Sequence, residues 1–168
     1  EDSADTLGAT INNGVSTGTF TDMSITSFYG SHIINCAGNG GALTINDDQI
    51  NNKAKLLRSW GRSSSLFDDQ SEAIENRFNI NLDGIDYDAK FVFEEIGYNL
   101  EGSELGAAFG LVQLNKLKSN IKIRQDNFKL QCDFFKNYDY FFSIPKQNEG
   151  ISTAWLAFPV LINREAPF

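Results

Sequence analysis

Short β-favouring bursts separated by glycines dominate the first 47 residues. Ser24-Ile25-Thr26-Ser27-Phe28-Tyr29 and Gly41-Ala42-Leu43-Thr44-Ile45 are each bounded by Gly, Thr, Asn and Ser, so each predicts a strand and the glycines predict tight turns. From Asp47 the period changes. Ile50, Ala54, Leu57 and Trp60 recur at four- and three-residue intervals, which places them on one face of a helix with Asp47 or Asp48 as its cap.

Residues 61–82 carry Ser63-Ser64-Ser65 and Asp68-Asp69 without strong periodicity, and read mostly as a long loop with a short helix near Glu72 to Asn76. Loops of that length are usually functional. Ala89-Lys90-Phe91-Val92-Phe93 reads as a strand. Two helices are expected next. Ser103 to Leu117, capped by Ser103, puts Leu105, Ala108, Phe109, Val112 and Leu117 on one side, and about Asn120 to Lys136 does the same for Ile123, Asn127, Leu130 and Phe134. Tyr138 to Ile144 and Ala154 to Ile162 read as two strands of a smaller unit, joined by the polar linker Pro145 to Ser152. Strands alternating with helices through the first two-thirds predict an α/β layered fold.

Composition narrows the classes of function. The chain has 168 residues, about one domain's worth, with 41% apolar and 21% charged positions, which describes a folded protein. Its 22 acidic against 14 basic residues give a net charge of −8, and no strong Lys/Arg cluster offers a surface to nucleic acid or to an anionic membrane. The longest mostly apolar run, Ala154 to Ile162, is far short of the roughly 20 residues of a membrane span. Nothing near the start resembles a signal peptide, so the chain reads as cytoplasmic. Cys36 and Cys132 are isolated thiols without CxxC spacing, which supports neither a metal site nor a disulfide scaffold. The chain opens Glu1-Asp2-Ser3 without a methionine and ends at Pro167-Phe168 just after an apolar run, from which both ends are expected to be cut from something longer.

One residue stands out for chemistry. His32 is the only histidine, and it follows a strand among small residues, Gly30 and Ser31, a setting in which catalytic groups are commonly placed. Alone, a solitary histidine is usually structural, and Gly38-Asn39-Gly40-Gly41 is more often a turn than a ligand loop.

Taken together, the motifs carry a resemblance. Glu1-Asp2, Leu7-Gly8-Ala9, Gly18-Thr19-Phe20, Ser27-Phe28-Tyr29-Gly30-Ser31-His32, Gly38-Asn39-Gly40-Gly41, Trp60-Gly61-Arg62, Gly97-Tyr98-Asn99, Ser103-Glu104 and Ala107-Ala108 occur in an order and spacing similar to the pyridoxal-phosphate-dependent sugar aminotransferase and dehydratase family. The resemblance spans nearly the whole chain. It implies an aspartate aminotransferase-like (fold type I) α/β fold: residues 1–117 as the later half of the cofactor-binding large domain, and residues 118–168 as the truncated start of a small α+β C-terminal domain.

Most of that family carries, five residues after the strand serine, the lysine that holds the cofactor covalently. Here that position is His32. The exchange resembles the nucleotide-sugar 3-dehydratase branch, which works from pyridoxamine 5′-phosphate and removes the C3 hydroxyl of a 4-keto-6-deoxyhexose in deoxysugar (lipopolysaccharide O-antigen) synthesis. A histidine cannot hold the cofactor covalently, but with a pKa near neutrality it can take a proton from one atom and deliver it to a departing hydroxyl. By position, the resemblance implies that Asp2 keeps the pyridine nitrogen protonated, that Ser27 binds the cofactor phosphate, and that Asn99 reaches the phosphate site of a neighbouring subunit in a homodimer. Singly, Asp2 reads more readily as a solvated carboxylate, Ser27 as a strand hydroxyl and Asn99 as a turn residue; their joint occurrence with the family spacing reverses that preference. Trp60 reads as a core or interface aromatic, and Arg62 as a weaker candidate for substrate phosphates.

The departures are informative as well. Asp5 stands where aminotransferases usually have glutamine, and Glu101-Gly102 replaces a basic or aromatic pair. One dehydratase type carries an iron–sulfur motif after the position of Arg62, but here Ser63-Ser64-Ser65 follows and no cysteine lies between Cys36 and Cys132. Four thiolates are not available for a cluster. The resemblance therefore points to the cluster-free type, with an amino donor such as glutamate and ammonia as a final product. Two readings compete with it: a sugar aminotransferase, against which stands the absence of lysine at position 32, and an inactive piece serving binding or assembly. The 168-residue chain by itself is expected to be inactive.

Overall fold

The structure, a computed structural model, describes residues 1–67 and 77–166. The short helix expected near Glu72 to Asn76 lies outside them. The chain forms two compact units, Glu1–Thr44 with Ser103–Phe168, and Ile45–Gly102.

In the first unit, β1 (Thr10–Ile11) and β2 (Val15–Ser16) form an antiparallel hairpin. Its turn takes left-handed backbone at Asn12 and Asn13, which asparagine tolerates better than other side chains. β3 (Met23–Ser27) pairs with β4 (Gly41–Ile45), in agreement with the two strands expected there.

The C-terminal residues join this unit. Of the segment Tyr138 to Ile144 only β7 (Phe142–Ser143) is strand, and of Ala154 to Ile162 only β9 (Leu161–Ile162); the two pair antiparallel. Between them, the stretch expected to be a plain linker contains β8 (Ile151–Ser152), which adds to the free edge of β1.

In the second unit, α1 (Asp48–Arg58) starts where the sequence places it, the Asp47 carboxylate accepting the Ile50 N–H at 2.9 Å. Two expectations fail here. The last three residues of the expected loop are β5 (Ile80–Leu82), which forms a hairpin with β6 (Ile85–Tyr87) beyond it, turned by Asp83 and Gly84, both at positive φ. That is the geometry the right-handed twist of two antiparallel strands prefers. The expected strand Ala89 to Phe93 begins instead as a 3-10 turn over Ala89–Phe91, because the Asp88 carboxylate caps it by accepting the Lys90 N–H at 3.0 Å.

The two helices expected after Ser103 are one, α2 (Glu104–Phe135), capped by the Ser103 hydroxyl. No Gly or Pro occurs between Leu111 and Phe135, and Ser119 turns its hydroxyl back onto the Lys116 carbonyl at 2.8 Å, so nothing stops the helix. Leu117 and Lys118, between which the sequence reading divides the domains, lie within it.

The register of α2 also differs from expectation. Leu105, Phe109 and Leu130 are exposed, whereas Gly106 and Gly110 are the buried positions of its first turns. Further along, Phe128 stacks on Trp155 with centroids 3.9 Å apart, and Phe135 meets Phe158 and Phe142. Arg124 locks this cluster by donating to the carbonyls of Trp155 and Leu156, both at 3.3 Å.

Candidate functional site

The N-terminal segment runs alongside β3. Ser3 N–H donates to the Ile25 carbonyl at 2.9 Å and Ile25 N–H to the Glu1 carbonyl at 3.0 Å, so Asp2 lies opposite Ile25 in a parallel bridge. Asp2 therefore sits two residues from Ser27 along the strand. Its side chain is exposed and its Oδ1 accepts the Ala4 N–H at 3.1 Å. The buried Ser3 fastens the segment, donating its hydroxyl to the Ile25 carbonyl at 2.8 Å.

Ser27 closes β3. Its Oγ accepts the Tyr29 N–H at 3.2 Å, which bends the chain out of the strand and leaves the hydroxyl hydrogen for another acceptor. The loop that follows is tied back onto itself: Phe28 N–H donates to the Gly40 carbonyl, Gly30 N–H to Gly38, and Cys36 N–H to Phe28, at 2.8, 3.1 and 3.1 Å. Ile33 and Ile34 are buried and anchor it.

His32 lies at the bend of this loop, its N–H donating to the Tyr29 carbonyl at 3.0 Å and its ring edge-on to the Tyr29 ring at 5.9 Å between centroids. The side chain is only 19% exposed. Nε2 is 3.3 Å from Oδ1 of Asp5, and Nδ1 is buried without a hydrogen-bond partner among the described residues. An imidazole so placed is held on one side by a carboxylate and has an unused polar atom on the other.

The structure thus brings Asp2, Ser27 and His32 together in one unit, along β3 and through the contact from His32 back to the N-terminal turn. Asn99 belongs to the other unit. It is exposed and bridged to Ser59, in a place where Trp60 N–H donates to the Tyr98 carbonyl at 2.9 Å and Tyr98 N–H to the Leu57 carbonyl at 2.7 Å. The motifs Trp60-Gly61-Arg62 and Gly97-Tyr98-Asn99 are here packed backbone on backbone. Gly61 takes positive φ, and a β-carbon there would run into the Glu95 carbonyl. Arg62 lies over the Trp60 ring at 4.4 Å, with its Nε buried and without a hydrogen-bond partner among the described residues.

The sequence reading noted Asp5 only as a departure from aminotransferases and did not connect it to His32. The spacing held a signal: Asp2 and Asp5 sit three residues apart on one turn, closed by Thr6 N–H on the Ser3 carbonyl at 3.2 Å. Cys36, read as an ordinary thiol, packs its sulfur against Gly110 of α2. Among the described residues no group of three or more His, Cys, Asp or Glu could hold a metal ion, and no helix is long and apolar enough to cross a membrane.

Known proteins resemble the chain along nearly its whole length. The chain is 30% identical over 164 residues to the lipopolysaccharide biosynthesis protein RfbH of Salmonella typhimurium, covering 96% of this chain and 37% of that protein. It is similar to the structure of E. coli GDP-4-keto-6-deoxy-D-mannose-3-dehydratase with bound hydrated PLP (TM-score 0.77, 28% identity, 100% of this chain and 40% of that one). It is also similar to a GDP-4-keto-6-deoxymannose-3-dehydratase with a trapped PLP-glutamate geminal diamine (TM-score 0.74, 27% identity, 96% and 39%). The chain spans about two-fifths of the length of such relatives. The architecture is accordingly part of an aminotransferase-like, fold type I domain. With the DegT/DnrJ/EryC1/StrS aminotransferase family matching residues 1–167, the chain belongs to that family, in line with its nucleotide-sugar 3-dehydratase branch.

Proposed function

We propose that this chain forms the histidine-bearing part of a 3-dehydratase that uses pyridoxal and pyridoxamine 5′-phosphate on a nucleotide-linked 4-keto-6-deoxyhexose, in the cytoplasm, for lipopolysaccharide deoxysugar synthesis. The observation that carries the reading is His32 itself. By the resemblance it stands at the family's lysine position, and it is a largely covered imidazole with a buried nitrogen that has no partner among the described residues.

The side chains present fit such a cofactor. The exposed Asp2 has its Oδ1 engaged by Ala4, and its carboxylate can face a protonated pyridine nitrogen. The Ser27 hydroxyl, accepting from Tyr29, keeps its hydrogen for a phosphate oxygen. In this reading Asn99 serves the phosphate of the partner in a homodimer. Residues 1–117 belong to the large domain and residues 118–168 begin the small one, with α2 passing from one to the other.

When bound, the cofactor supplies an electron-accepting ring and an amine that can condense with the sugar ketone. The chain's own residues do the rest. Asp2 holds the proton on the ring nitrogen. With the cofactor bound, His32 would carry the proton that lets the C3 hydroxyl depart as water. Glutamate is the electron source: its oxidation to the keto acid balances the loss of oxygen at C3, and its nitrogen leaves as ammonia.

The aminotransferase reading needs a lysine that could bond the cofactor. Lys53 and Lys55 lie on α1 in the other unit, and Lys53 is paired with Glu95. The deciding experiment supplies the full-length protein with pyridoxal phosphate, glutamate and a GDP-linked 4-keto-6-deoxyhexose. A 3-deoxy-4-keto sugar with ammonia is expected. A 4-amino sugar would instead establish the aminotransferase, and no product would leave neither.

A further inference from the structure

His32 carries two nitrogens in contrasting surroundings, and the contrast assigns their roles. We infer that Asp5 holds His32 in the tautomer with its hydrogen on Nε2 and its lone pair on Nδ1. The inference rests on reading His32 as the acid–base residue, and makes Asp5 a positioning residue for it.

A neutral imidazole has one N–H and one lone pair, and a carboxylate can only accept. With Asp5 Oδ1 3.3 Å from Nε2, a hydrogen on Nε2 faces the negative oxygen favourably and leaves the lone pair on Nδ1. The opposite tautomer carries two penalties. It turns a lone pair toward the carboxylate, and it puts an N–H on Nδ1, which is buried with no partner among the described residues. In the favoured tautomer the only unmet group is the Nδ1 lone pair, and accepting a proton there satisfies it.

The surroundings oppose a ring flip that would exchange the two nitrogens. The Tyr29 ring stands edge-on at 72° to the imidazole, the His32 backbone is bonded to the Tyr29 carbonyl, and buried Ile33 and Ile34 fix the loop behind it. Asp5 is fixed from its own side by the turn over Ser3 to Thr6, which Ser3 fastens to β3. The exposures also differ in the useful direction. Asp5 is 62% exposed and stays solvated, while the imidazole at 19% is largely shielded from water that would compete for its nitrogens.

The test uses the full chain labelled with nitrogen-15. The His32 ring signals are assigned by their loss in His32→Asn. Long-range proton–nitrogen correlation of the neutral ring is expected to show Nε2 as the protonated, pyrrole-type nitrogen and Nδ1 as the pyridine-type one. Asp5→Ala, at an exposed position, is expected to yield a mixture of tautomers. In the active holoenzyme the same variant should lower kcat about tenfold or more while KM holds. Nδ1 protonated in the wild type overturns the inference without any variant, and so does an unchanged tautomer in folded Asp5→Ala. A wild type that shows the Nε2–H tautomer but dehydrates no sugar overturns the function and leaves the tautomer assignment standing.

Discussion

The sulfur of Cys36 fills the space beside Gly110: a β-carbon at position 110 would stand 2.5 Å from Sγ but 3.8 Å from the Cys36 β-carbon. The loop that bears His32 is therefore seated on α2 through Cys36, its sulfur against Gly110 and its carbonyl against Gly106, and the fit depends on glycine having no side chain.

Gly110→Ala should then destabilise the protein by overpacking, by about 1–3 kcal/mol. Removing the sulfur should reverse it. In the double variant Gly110→Ala, Cys36→Ala the new methyl meets only ordinary contacts, and alanine favours a helix over glycine by about 1 kcal/mol, so stability should return to the wild-type level. Urea unfolding of the wild type and the two variants measures this. A Gly110→Ala protein as stable as the wild type would show that the sulfur does not seat the loop.

The second unit has an acid-sensitive clasp. Arg77 donates to both oxygens of Asp88, and this hydrogen bonding holds the Asp88 carboxyl below its ordinary value of 3.8, aided by the Lys90 N–H and partly opposed by burial. A carboxyl whose folded pKa is lowered contributes stability above its unfolded pKa and loses it as pH falls through the folded one. Asp88→Asn should accordingly flatten the decline in stability below about pH 4. Thermal unfolding across pH 2.5 to 6, on the order of half a unit per step, reads it, and an acid limb unchanged by the substitution counts against the clasp.

Local signals were the legible part of the fold. Asp47 and Ser103 announced two helix starts because a cap needs only one side chain and the next three residues. Long-range effects were hidden. The sequence suggests two helices in place of the long one, although no Gly or Pro falls between Leu111 and Phe135, and its apolar stripe points to Leu105 and Phe109 where the structure buries Gly106 and Gly110. Small residues carry no hydrophobic signal, so a face chosen for close approach is invisible to periodicity. The Asp83-Gly84 hairpin was readable and was missed: Ile80, Leu82, Ile85 and Tyr87 flank a strong turn pair. At the site, the spacing from Ser27 to His32 was plain in the sequence. The contact with Asp5 joins positions 27 residues apart and required the fold.

Iron–sulfur chemistry should be absent from this chain. Cys36 and Cys132 are its two thiols, both half-buried, and a cluster calls for four thiolates. Anaerobic reconstitution followed by iron and acid-labile sulfide assays is expected to find neither in stoichiometric amount. One cluster per chain would contradict assignment to the cluster-free dehydratases.

The account turns on His32 as the proton carrier, and the most direct measurement is release of the 3-deoxy-4-keto sugar by the His32→Asn holoenzyme. Asparagine is polar and of similar size, so folding and cofactor binding should persist, and cofactor retention is checked in the same sample by its absorbance. The predicted result is a loss of at least roughly 10²-fold in dehydration, the scale of general acid–base catalysis. Near-normal product release by that variant would contradict the account and leave His32 as a structural residue of its loop.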